Sequence, residues 1–95
     1  MTNEQKVSLT QALGKFAKFL KENDDPVPAS IAEQAALDIE NDVVETIEFA
    51  NALFEKSKGT VSVNALAGYL TGVFTTIYAE SLQQSIDEIS TLGIH

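Results

Sequence analysis

The stretch VNALAGYLTGVFTTIYAESLQQSIDEISTL, residues 63–92, decides how this chain folds. Its apolar residues recur at steps of three and four, the period of an amphipathic α-helix rather than the two-residue alternation of a strand. At 100° per residue, Leu66, Leu70, Val73 and Ile77 fall within about 60° of one another, with Val63 and Phe74 nearby. Leu82, Ile86, Ile89 and Leu92 cluster on a face roughly 180° away, with Tyr78 and Ala79 at the transition. One straight helix against one core cannot bury both sets.

Three arrangements accommodate the change of face. The helix can break near Ser81, where Ser81 and Gln84 have capping-box spacing, so that a fourth helix folds back on the bundle. It can instead run on, with its first half inside the subunit and its second half packed on a neighbouring chain. In the third arrangement the other helices flank the two halves of a central helix on different sides. Asn64, Gly68, Thr71, Gly72 and Thr75 form a small, weakly polar flank, and the Gly-x-x-x-Gly spacing allows close approach of another backbone. Each internal glycine costs roughly 1 kcal/mol relative to alanine, so a packing reason is expected.

Residues 59–79 carry no charge, a run of 21 that would reach across a bilayer. Its five Ser or Thr, its Asn64 and its three Gly dilute the hydrophobicity a lone span requires, so a buried central helix is the expectation and a membrane partner is not.

Upstream, Thr2 and Gln5 have capping-box spacing, and Leu9, Leu13, Phe16 and Leu20 follow on one stripe widened by Phe19. This predicts a helix over about 3–22. The segment Asn23-Asp24-Asp25-Pro26-Val27-Pro28-Ala29 reads as a breaker, because each proline lacks an amide donor and restricts the residue before it. Ser30 with Glu33 then predicts a second helix over about 31–58, with Ala32, Ala36, Ile39, Val43, Ile47, Ala50 and Phe54 on one face. Lys56 and Lys58 suit its negative end, and Gly59 suits a left-handed terminating position. Ser62 is placed to cap a third helix over about 63–79. The expectation is therefore a single all-α domain spanning residues 1–95, a small helical bundle of three long helices. A C-terminal helical segment over about 82–92 is either continuous with the third helix or folded back as a fourth.

Composition narrows function further. Hydrophobic residues make up 44% and charged residues 21% of 95, which describes a chain able to bury a core. A core this small is marginal, so surface borrowed from a partner would help. No basic leader precedes an apolar segment at the start, and a cytoplasmic location is the default expectation. All six basic residues are lysines. Residues 1–22 hold four lysines against two carboxylates, a net of +2, whereas residues 23–95 hold twelve carboxylates against two lysines, a net of −10. Direct nucleic-acid binding is disfavoured, because it needs cations against phosphates and usually arginine against bases. Short, acidic, arginine-free helical chains are common among small bacterial and phage accessory proteins, an analogy of composition that no motif supports.

Chemistry is sparsely represented. Cysteine is absent, and the single histidine, His95, stands at the C-terminus, where no general base is normally held in position. No nucleophile elbow or phosphate loop occurs. Glu22, Asp24 and Asp25 lack the glycine and twelfth-position glutamate of a calcium loop, and no Glu-x-x-His pair supports a di-iron site. No catalytic residue, cofactor or metal is expected. Phe16, Phe19, Phe49, Phe54 and Phe74 read as core, while Tyr69 and Tyr78 suit the rim of a core or an interface.

Two surfaces remain as candidates. Tyr78, Leu82, Ile86, Ile89 and Leu92 are the candidate interface of a homo-oligomer or of a complex with another protein. Glu33, Glu40, Glu45, Glu48 and Glu55 form a candidate acidic face for a basic partner, as in an inhibitor or immunity-type protein that imitates nucleic-acid phosphates.

Overall fold

The computed structural model describes residues 1–58 and 60–93, with side chains through residue 89. Four helices follow one another: α1 (Asn3–Glu22), α2 (Pro26–Glu40), α3 (Val44–Lys56) and α4 (Val63–Gly93), with no strand among the described residues. The chain is a small all-α bundle, as its periodicity predicts.

Helix α1 starts where the capping box places it. The Thr2 amide donates to Gln5 Oε1 (2.9 Å) and the Gln5 amide to Thr2 Oγ1 (3.1 Å), which satisfies two amides that the first turn leaves without partners. Its exit is a left-handed cap at Asp24 (φ 56°). There the Asp25 amide donates to the Leu20 carbonyl (2.9 Å) and the Asp24 amide to the Lys21 carbonyl (3.2 Å), the paired bonds of a Schellman ending.

The predicted second helix is divided and starts earlier. Helix α2 opens at Pro26 rather than near residue 31, with Asp25 as its N-cap residue. Prolines lie in the first turn, where amides have no partner within the helix, so the missing donors cost nothing and the fixed φ favours the helix. Ser30 and Glu33 therefore sit inside α2 and cap nothing. The continuous run over 31–58 is interrupted at Asn41-Asp42-Val43, where Asp42 is left-handed (φ 57°). The Val43 amide donates to the Asp38 carbonyl (2.8 Å) and the Asp42 amide to the Ile39 carbonyl (3.2 Å), so this ending repeats that of α1.

Asp38 holds the resulting elbow from both sides. Its carboxylate accepts from Gln34 Nε2 (2.9 Å) and from the hydroxyl of buried Thr46 on α3 (3.1 Å). Ion pairs Lys6–Asp42 and Lys21–Glu33 join α1 to the elbow and to α2. Helix α3 leaves through left-handed Lys58 (φ 55°), the position that sequence reading gave to Gly59, which lies outside the described residues. Ser62 caps α4 as expected, its Oγ accepting from the Ala65 amide at 3.1 Å.

The core joins Leu9, Ala12, Leu13 and Ala17 of α1 to Ala32, Ala35 and Ile39 of α2, Ala50 of α3, and Leu66, Ala67 and Leu70 of α4. More than half of these are alanines, so the helices approach closely and each core leucine meets backbone-rich surface. Phe49 and Phe74 close the α3–α4 side with ring centroids 5.5 Å apart. This core accounts for α1, α2, α3 and only the first half of α4.

Candidate functional site

Helix α4 is one uninterrupted element about 46 Å long at 1.5 Å per residue. Ser81 and Gln84 lie within it and begin no separate helix, so the folded-back arrangement does not occur. Its first half belongs to the bundle: Leu66, Ala67, Leu70 and Thr71 are buried, and the Thr71 hydroxyl is satisfied by the Ala67 carbonyl (2.8 Å). From Thr76 to Ile89 every residue is exposed. Helices do not flank the second half either, which leaves it bare along its described length.

That bare half carries large apolar side chains at helical spacing. Tyr78, Leu82, Ile86 and Ile89 are 51%, 48%, 47% and 68% exposed, fractions normal for charged surface residues rather than aliphatic ones. Leu92, the fifth residue of the candidate interface, lies outside the residues whose side chains are described. Ile77, which sequence reading assigned to the buried face, is 49% exposed.

The change of face is also smaller than sequence reading indicates. The residues that are buried include the small Ala67 and Thr71, which draws the packed face toward Tyr78 and leaves about 80° between it and the Tyr78–Ile89 stripe. Even counting large residues alone, Leu66, Leu70, Val73 and Ile77 against Leu82, Ile86, Ile89 and Leu92, yields about 135° rather than the expected half turn. Burial depends on position against a neighbour, and the close alanine packing of this bundle favours small residues at its centre.

Nor do the two glycines fill the packing role foreseen for them. A Cβ built on Gly68 or Gly72 would meet no atom within 4 Å, so nothing in this chain approaches them closely. Tyr69, beside them, is 60% exposed.

The candidate acidic residues are all exposed, but they belong to two helices: Glu33 and Glu40 to α2, and Glu45, Glu48 and Glu55 to α3. The elbow at residues 41–43 breaks the row, and Glu33 is engaged by Lys21. Among the described residues no group of three potential metal ligands converges, and both buried polar side chains, Thr46 and Thr71, are hydrogen-bonded. A largely apolar surface groove is lined by Leu53, Lys56, Ser57, Val61, Leu66 and Tyr69. The Ser57 hydroxyl there is committed to the Phe54 carbonyl (2.9 Å), and among the described residues no histidine lines the groove. His95 lies outside the described residues. No described helix is long and apolar enough to cross a membrane. No protein-family model matches this chain, and no curated protein or solved structure matches it.

Proposed function

We propose that this chain is a non-enzymatic interaction module that self-associates through the C-terminal half of α4, in an accessory or assembly role. The supporting observation is the bare stripe Tyr78, Leu82, Ile86 and Ile89 on a helix that is otherwise part of a packed bundle. A continuous apolar face that its own chain leaves in water is the usual mark of a protein contact site.

Magnitudes set the strength of the contact. Covering four half-exposed large side chains on each of two copies yields about 6–10 kcal/mol gross. Loss of translational and rotational freedom on association costs about 4–15 kcal/mol. These four residues alone therefore support a weak, concentration-dependent association. The alternative reading, an acidic inhibitor or immunity-type protein, draws on the same net charge of −8 but lacks a single unbroken acidic helix face.

Light scattering on a size-exclusion column, run over a concentration series, tests the proposal. A mass that rises above 10.3 kDa with concentration is expected. Leu82→Asp combined with Ile86→Asp should return the mass to the monomer value at all concentrations while helical circular dichroism is retained. A wild-type chain that stays monomeric throughout would overturn the reading.

A further inference from the structure

We infer that two copies pair their α4 helices antiparallel, with the Gly68–Ala79 half of each helix receiving the Leu82–Ile89 half of the other. This deepens the self-association reading and rests on it.

The argument begins with a stripe lying beside Tyr78 on the side turned away from the bundle. Gly68, Gly72, Thr75, Ala79, Leu82, Ile86 and Ile89 follow one another at steps of four, three, four, three, four and three, a heptad seam of about three repeats. None of the seven is buried by the chain itself. The positions flanking the seam are uncharged as well: Tyr69, Thr76 and Gln83 on one side, and Asn64, Thr71, Tyr78 and Ser85 on the other, of which Thr71 is already buried in the bundle. Glu80, Asp87 and Glu88, the three carboxylates of α4, fall on the positions that point away from a partner. Two strongly acidic copies can therefore approach along this seam without placing carboxylate against carboxylate.

Side-chain size then selects direction. The seam is small at one end, Gly68, Gly72, Thr75 and Ala79, and large at the other, Leu82, Ile86 and Ile89. An antiparallel pair with Ala79 near the two-fold axis sets Thr75 against Leu82 of the second copy, Gly72 against its Ile86 and Gly68 against its Ile89. Small meets large at each of these three levels, and at the axis Ala79 meets its own copy. A parallel pair sets glycine against glycine and isoleucine against isoleucine, so the helix spacing would have to differ between the two ends. The room needed beside the glycines exists, because a Cβ at Gly68 or Gly72 has no neighbour within 4 Å. Extending the contact from the bare half to the whole seam also adds area beyond the four large residues.

The absence of cysteine from the chain makes cross-linking a clean test. Gly72→Cys and Ile86→Cys variants, each carrying a single thiol, would be oxidised separately and as an equimolar mixture, with light scattering on each. Antiparallel pairing predicts a disulfide-linked dimer in the mixture and little in either variant alone, since positions 72 of two antiparallel copies lie about 20 Å apart along the axis. Cross-linking of each variant with itself would establish a parallel pair, overturning this inference while self-association stands. A dimer by mass that cross-links in no combination would place the contact off the seam and also overturn it. A monomer at all concentrations would remove the self-association reading itself. Gly72→Leu supplies a second measurement: bulk added at an open position should leave the monomer folded but raise the dimer dissociation constant on the order of tenfold. An unchanged constant would count against the seam.

Discussion

The two halves of α4 share an apolar stripe at helical spacing and meet opposite fates. Residues 63–75 supply Leu66, Ala67, Leu70 and Thr71 to the core, whereas residues 76–89 carry Tyr78, Leu82, Ile86 and Ile89 entirely on the surface. The first half is uncharged and the second carries Glu80, Asp87 and Glu88, yet both present an apolar stripe at helical spacing, and the difference in cover lies in what else the chain has to offer. Helices α1, α2 and α3, of 20, 15 and 13 residues, are too short to line a helix of 31. At 1.5 Å per residue the longest of them spans about 30 Å beside a helix of about 46 Å. The elbow at residues 41–43 turns the chain back before α2 and α3 can extend farther along it. Apolar character therefore records a need for cover, and the geometry of the neighbours determines whether the same chain meets it.

The largest effect separating the halves should come from truncating one leucine in each. Leu70→Ala removes a fully buried side chain and should lower unfolding free energy by about 2–5 kcal/mol in urea titration. Leu82→Ala, measured in dilute solution where the chain is monomeric, should change it by less than about 0.5 kcal/mol. Equal losses at the two positions would mean that the second half is packed on its own chain, and would break the contrast.

A smaller effect is expected at the exit of α3. Lys58 holds a left-handed conformation that its Cβ disfavours, so Lys58→Gly should stabilise the bundle by about 1 kcal/mol in the same titration. Because Lys58 is neither a seam position nor one that flanks it, the dissociation constant of the dimer should not move. A parallel shift in both quantities would show that folding of the first half and association of the second are coupled.

Salt offers the smallest change and the most informative sign. Each copy carries a net charge of −8, so screening from low to high ionic strength should tighten self-association by a few-fold, read from the mass distribution. Contact with a basic partner through the acidic residues of α2 and α3 would weaken under the same change. An association that falls with salt would transfer weight from the α4 stripe to the acidic reading.

Much of the architecture was legible from residue spacing. The Thr2–Gln5 box, the Ser62 cap and the three- and four-residue steps of α1 and α4 report local hydrogen bonding and one-sided burial, both of which leave a periodic trace. The elbow left a fainter one. Glu22-Asn23-Asp24 and Glu40-Asn41-Asp42 are the same triplet, and both end a helix with Asp in the left-handed position. The first is followed by prolines within four residues, which signal a break; the second is followed by Val43-Val44, which continue the helical pattern. Asparagine and aspartate tolerate the left-handed conformation without requiring it, so the triplet permits an ending that tertiary contacts must secure. The Asp38–Thr46 hydrogen bond and the Lys6–Asp42 ion pair provide those contacts here.

The candidate interface divides in the same way. That Tyr78, Leu82, Ile86 and Ile89 share one side of a helix follows from their spacing alone, because 100° per residue is a property of the backbone. That this side is bare, that the face turns by about 80° rather than half a circle, and that Gly68 and Gly72 stand open all depend on where α1, α2 and α3 stop. By itself the sequence determined the helices, their caps and the existence of a second apolar face. Tertiary structure alone decided which face is covered, because burial belongs to a pair of surfaces and a periodic pattern describes only one of them.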